Sequence, residues 1–197
     1  MASTKVRLFL GFGLSNNVCG QLIQLQQYIQ QHWHTTQRHF KPLAAIHPGN
    51  LHLTLRFLGQ VEQEKVVSLC NRIEQLQKPR FSLPMSKVEH WPTANLICLT
   101  GIKSAELDIM HQTLQQLIEP LKFFQPTQPF RPHISLIRNV KDLAKGLSND
   151  GFPMTLAQPI TFTPDMLTLY QSSGENLSIK PCYQALASWP LGKQIIN

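Results

Sequence analysis

Leu51-His52-Leu53-Thr54-Leu55-Arg56-Phe57-Leu58-Gly59 alternates apolar and polar side chains. Successive side chains on a strand point to opposite faces, so Leu53 and Leu55 share a buried face while His52 and Thr54 share the other. Residues 130–138, Phe-Arg-Pro-His-Ile-Ser-Leu-Ile-Arg, repeat the design. There Ile134 and Leu136 point inward, and His133 and Ser135 point the same way as each other. One such strand is bland. Two, in separate parts of one chain, set two imidazoles and two hydroxyls on polar strand faces that a two-lobed fold can turn toward each other.

The elements around these strands predict the fold class. Arg7–Phe12 reads as a strand, followed by a helix from Asn17, capped by Asn16 or Asn17, with Leu22, Leu25, Ile29 and Trp33 on one face. "KPLAAIHPGN" reads as loop, since Pro42, Pro48 and Gly49 punctuate it. A strand with "HLTLRFL" ends at Gly59, and a helix covers about 62–77. Strands are expected at Phe81–Val88 and Leu96–Thr100, and a helix at Ala105–Ile118. A proline-rich stretch leads into the strand Pro132–Ile137, and a short helix covers Val140–Leu147. Strands at Ile160–Tyr170 and Ser178–Trp189 complete the chain. No linker separates independent domains. The expectation is one α+β domain over residues 1–197: two related lobes, each an antiparallel sheet with outer helices.

Composition narrows the function. The chain has 197 residues, 18 Lys+Arg against 11 Asp+Glu, and a net charge of +7. That balance favours phosphate-bearing partners. The four cysteines, Cys19, Cys70, Cys98 and Cys182, form no Cys-x-x-Cys pair, so they read as reduced thiols of a cytoplasmic protein. The apolar run near the N-terminus is short and carries two glycines, which argues against a signal peptide. No stretch is long enough to span a membrane.

Two histidines and two hydroxyls suit phosphodiester cleavage without a cofactor or metal. A neutral imidazole removes a proton from the attacking oxygen, and a protonated one supplies the leaving oxygen. A reference pKa near 6.5 lets both forms coexist. Thr54 and Ser135 would donate to non-bridging oxygens. Five residues beyond each histidine stand Phe57 and Arg138. Strict alternation puts both on the wrong face, and strand twist is the route by which they would reach the cleft. Arg138 suits phosphate; Phe57 is either a core residue or a platform for a base. Arg131 either lines the cleft or pins the proline-rich loop. Arg56 shares parity with His52 and either enters the cleft or faces solvent. His47, His90 and His111 read as surface residues. His32, His34 and His39 lie close together, but no acidic residue or cysteine accompanies them, so a zinc site there is a minor alternative.

The pair "HLTLRFLG" and "FRPHISLIR", with the opening "RLFLGF" and the closing "YQALASWPL", resembles the two-histidine phosphoesterases. Among them it resembles the bacterial RNA 2′,3′-cyclic phosphodiesterases, or tRNA 2′-5′ ligase-like proteins. The resemblance implies two pseudo-symmetric lobes around a central basic cleft, and opening of an RNA terminal 2′,3′-cyclic phosphate to a 2′-phosphomonoester. It implies His52 as acid on the 3′ oxygen and His133 as base for water. Thr54 and Ser135 would hold the phosphate, Arg138 would assist, and Phe57 would stack on the base. Ser135 replaces the commoner threonine and keeps the hydroxyl, and "LAAIHPGN" lacks a tryptophan often found there. The implied partners are RNA ends or small nucleotide cyclic phosphates, with no membrane, no obligate protein partner and a monomeric state. The alternatives are a 2′-5′ RNA ligase or 2′-5′ oligonucleotide phosphodiesterase on the same fold, and a non-catalytic RNA-end-binding module. Intact His52 and His133 speak against the last, since binding alone needs no proton-transfer pair.

Overall fold

A computed structural model describes residues 4–36, 43–138, 140, 152–174 and 177–192. Nine strands form one antiparallel sheet among these residues. They are β1 (Lys5–Phe12), β2 (Ala44–Ala45), β3 (Leu53–Glu62), β4 (Leu83–Trp91), β5 (Leu96–Gly101), β6 (His133–Arg138), β7 (Met154–Phe162), β8 (Met166–Ser172) and β9 (Tyr183–Pro190). The spatial order is β7-β4-β5-β6-β3-β1-β8-β9, with β2 paired to β6. The order divides into two sets of four, β7-β4-β5-β6 and β3-β1-β8-β9, and the two histidine-bearing strands meet where the sets join. Three helices accompany the sheet: α1 (Asn16–Thr36), α2 (Lys65–Glu74) and α3 (Ala105–Ile118). The α+β class and the two-part antiparallel arrangement agree with expectation.

Local signals explain most elements. Leu107, Met110, Leu114 and Ile118 of α3 are buried at helical spacing, and Ser104 accepts from Leu107 N as N-cap. In α1 the cap is Ser15, whose hydroxyl accepts from Val18 N (3.3 Å), just before the two expected asparagines, Asn16 and Asn17. Gln26 of α1 is 3% exposed, and its amide donates to the carbonyls of Ile46 (2.9 Å) and Leu136 (2.8 Å). That fixes the helix to β6 beside the histidine site. Leu8, Leu10, Leu53, Leu55, Ile134 and Leu136 contribute to one continuous core.

Three expectations change. The strand drawn over Ile160–Tyr170 is two strands, β7 and β8, on opposite halves of the sheet. Pro164 and Asp165 sit between them, where proline denies a ladder donor and the chain crosses over. The last strand starts at Tyr183, after a turn that covers Ser178, and not at Ser178. Gly59 does not end its strand. Its φ is +76°, and β3 continues through it to Glu62. Leu58 drops out of the pairing with β1 there, so Gly59 serves a bulge that needs a left-handed residue. A Cβ at Gly59 would lie 2.9 Å from Phe124 Cβ. The helix expected over Val140–Leu147 lies, beyond Val140, outside the described residues.

Candidate active site

Strands β3 and β6 pair at Leu53↔Ile134. The same antiparallel register sets His52 opposite Ser135 and Thr54 opposite His133, so all four polar side chains occupy one face across the join. Leu53, Leu55, Ile134 and Leu136 are at most 1% exposed on the other side, as the alternation requires.

A bulge in each strand extends this face. Against β1, Leu10 pairs with Arg56 and Gly11 with Thr54, which skips Leu55. Against β5, Ile97 pairs with Ile137 and Cys98 with Ser135, which skips Leu136. Leu55 and Leu136 each lie three residues after their histidine. Residues 52–57 and 133–138 consequently share one burial pattern: half-buried, buried, half-buried, buried, buried, half-buried. An extra residue in a strand reverses the parity beyond it. This is why Phe57 and Arg138 return to the histidine face, and why Arg56 leaves it. Bulging, rather than twist at a strand end, is the physical route.

Each imidazole is oriented by the backbone two residues before it. His52 Nδ1–H donates to the Asn50 carbonyl (2.8 Å), and His133 Nδ1–H donates to the Arg131 carbonyl (2.9 Å). A carbonyl only accepts, so Nδ1 holds the proton and Nε2 is left as the acceptor nitrogen in both neutral rings. Thr54 Oγ1 donates to His52 Nε2 (2.9 Å). His52 packs on Phe9 (4.8 Å between centroids) and against the edge of Tyr183 (4.9 Å), while His133 packs on Trp91 (4.6 Å).

Burial lowers the pKa of both histidines. His52 is pushed down to about 4, chiefly by desolvation and further by the charges of Arg138 and His133, with the Asn50 carbonyl acting the other way. His133 is lowered by desolvation and by Arg138 and Arg131, against the Arg131 carbonyl. Arg138 therefore stands within the field of both rings. Its Nε is buried with no hydrogen-bond partner, and among the described residues it forms no ion pair. A bound anion would relieve that charge and raise both histidine pKa values, so anion binding should take up protons. Sulfate keeps its charge between pH 5.5 and 7.5. Its affinity is expected to rise as pH falls across that range, by up to about tenfold per pH unit for each proton taken up. Calorimetry in buffers of different ionisation enthalpy measures this; pH-independent affinity would contradict it.

The other expected residues divide. Phe57 is half-buried, with the Arg7 guanidinium 5.0 Å over its ring and Phe124 against its edge. Arg131 is both tied down and at the site: it pairs with Glu89 (2.8 Å), lies 4.8 Å over Trp91, and borders the same cavity as His133. Arg56 does not face solvent; it is 4% exposed. His111 is not a plain surface residue, because it is half-buried and stacks on Phe130 at 4.3 Å. His32 Nδ1 lies 3.0 Å from the Tyr28 carbonyl. No group of three or more metal-ligating side chains occurs among the described residues; the side chains of His34 and His39 lie outside them.

Several residues at the site were not foreseen. Asn50 is 2% exposed and ties the loop before His52 to the segment before β9. Its amide donates to Leu177 and Lys180 carbonyls, and its oxygen accepts from Cys182 N. Glu89 accepts from Trp91 Nε1 (2.7 Å), Arg131 and Thr100 (3.3 Å), which holds the His133 side together. Phe9, Tyr170 and Tyr183 wall the His52 side. Only "RLFLGF" and "YQALASWPL" hinted at Phe9 and Tyr183; Asn50 and Glu89 left no local signal.

Two adjoining histidine–hydroxyl strands, with an arginine that forms no ion pair among the described residues, have the groups a phosphoesterase would use, and the chain belongs to the LigT-like phosphoesterases. The model of that family, described as LigT like phosphoesterase, matches residues 12–97. The RNA 2′,3′-cyclic phosphodiesterase of Escherichia coli (strain K12) is 30% identical over 140 residues, which is 69% of this chain and 73% of that protein. The protein of the same name from Geobacillus stearothermophilus is 26% identical over 151 residues, or 74% of this chain and 47% of that longer protein. The structure of E. coli LigT complexed with 3′-AMP superposes with a TM-score of 0.73 at 27% identity, covering 96% of this chain and all of the other. No helix among the described residues is long and apolar enough to cross a membrane.

Proposed function

We propose that this protein is an RNA 2′,3′-cyclic phosphodiesterase that opens the terminal cyclic phosphate to a 2′-phosphomonoester by acid–base catalysis between His52 and His133. The observation that carries the reading is the matched pair of Nδ1-anchored imidazoles, one on each side of the strand join, with Nε2 as the available nitrogen of each. His133 takes the proton of the attacking water. His52, protonated once the phosphate is bound, donates to the 3′ oxygen as its bond to phosphorus breaks. Thr54 releases His52 and, with Ser135, donates to the non-bridging oxygens; Arg138 balances their charge. Phe57 and Arg131 bound the substrate cleft.

The low histidine pKa values of the free protein fit this sequence. At neutral pH both rings are neutral, and the bound anion supplies the field that charges one of them. Two histidines cover both proton transfers, so the chemistry needs no metal. The free thiols of Cys19, Cys70 and Cys98 suit a reducing, cytoplasmic setting, and every residue invoked comes from one chain, so a monomer suffices.

The test is an oligoribonucleotide ending in a 2′,3′-cyclic phosphate, incubated with and without excess EDTA. The expected product carries a 2′-phosphate, resists an enzyme specific for terminal 3′-phosphates, and forms at the same rate in EDTA. Ready release of phosphate by that enzyme would reverse the assigned histidine roles. Turnover abolished by EDTA and restored by one metal would remove the mechanism.

A further inference from the structure

Beside His133 lies a cavity of about 770 Å³, bordered by Thr54 and His133 and by Arg56, Trp91, His111 and Phe130. Arg56 is the anomaly in its wall. The corresponding position of the second motif is Ile137, an ordinary core residue that is 0% exposed. At the same place β3 carries a guanidinium that is 4% exposed, forms no ion pair among the described residues, and has an unpartnered, buried Nε. Among the described residues its guanidinium donates to the Gln125 amide oxygen, from an exposed residue on the loop before β6. A neutral amide leaves the positive charge uncompensated, and burying such a charge is costly. The charge also reaches His111, whose pKa is lowered by burial first and then by Arg56.

We propose that this cavity is a nucleobase subsite in which Arg56 selects guanine. The claim rests on the phosphodiesterase reading above and adds which RNA end is preferred. Trp91, His111 and Phe130 border the same cavity as Arg56, and flat rings suit a planar base better than a hydrated phosphate. The guanidinium is a planar fork of donors, and the guanine edge presents O6 and N7 as two acceptors in matching geometry. Adenine puts an amino donor where guanine has O6, so a donor would face a donor in a dry site. Gln125 now supplies the single acceptor, and the O6 of the base would replace it.

The experiment measures binding of 2′-GMP, 2′-IMP and 2′-AMP to the full chain, independently of turnover. Hypoxanthine keeps O6 and N7, so 2′-IMP should bind like 2′-GMP, and both should bind about tenfold to a hundredfold more tightly than 2′-AMP. Arg56→Met should bring the ratio of 2′-GMP to 2′-AMP affinity close to one, with Arg56→Lys between. Equal affinity for the three ligands in the unaltered protein overturns the proposal, and needs no variant to fold. So does an equal loss for all three in Arg56→Met, which would mark a structural arginine. A gain that follows an added 5′-phosphate, whatever the base, overturns it as well. Absent turnover on cyclic phosphates would strike the phosphodiesterase reading and leave these ratios measurable.

Discussion

His52→Ala and His133→Ala are each expected to lower kcat by about 10²- to 10⁴-fold on a 2′,3′-cyclic phosphate RNA end, with circular dichroism unchanged. In the proposed mechanism each imidazole performs one proton transfer, and among the described residues no other histidine stands on the face shared by these strands. The pH profile separates the two roles. kcat/KM reports the free protein, where burial holds both histidines below 6.5. One ring must be neutral and the other charged, so the profile is a bell whose maximum lies on the acid side of 6.5 and falls as pH rises through 8. In kcat the bound phosphate raises both pKa values, and the bell moves toward neutrality. Each alanine variant should lose one limb. A folded variant with near-native turnover, or a kcat/KM optimum above pH 8, would refute the assignment.

Removing the Arg138 guanidinium should have the next largest effect. Arg138→Met is expected to lower kcat/KM by about ten- to a hundredfold, the worth of a charge-assisted hydrogen bond to phosphate. Arg138→Lys should recover only part, since an ammonium lacks the planar fork. A second readout distinguishes this from mere damage to the fold. Arg138 lowers the pKa of both His52 and His133 through its charge, so in Arg138→Met both should rise toward 6.5. The kcat/KM bell then moves to higher pH as its height falls. A loss of rate at an unmoved optimum would mean that Arg138 does not act beside the histidines.

The sequence by itself determined what depends on neighbours along the chain. Alternation in "LHLTLRFLG" and "FRPHISLIR" placed His52 with Thr54 and His133 with Ser135, because a strand's side-chain period of two is a local property. The helical spacing of Leu107, Met110 and Leu114 likewise marked α3 with its observed ends. Tertiary structure alone decided which strands meet and how each is bent. A bulge is defined by its partner strand, so the skipped Leu55 and Leu136 cannot be seen in either motif alone. Parity reasoning therefore put Arg56 on the histidine face and left Phe57 and Arg138 off it, the reverse of what the bulges produce. Pro164 is a break legible in the sequence, since a proline cannot donate within a ladder, and it separates β7 from β8. The supports of the histidines were beyond local reading. Asn50 reaches Leu177, Lys180 and Cys182, and Glu89 reaches Arg131. Contacts across 42 to 132 residues leave no period in the sequence, and only the closed sheet brings them together.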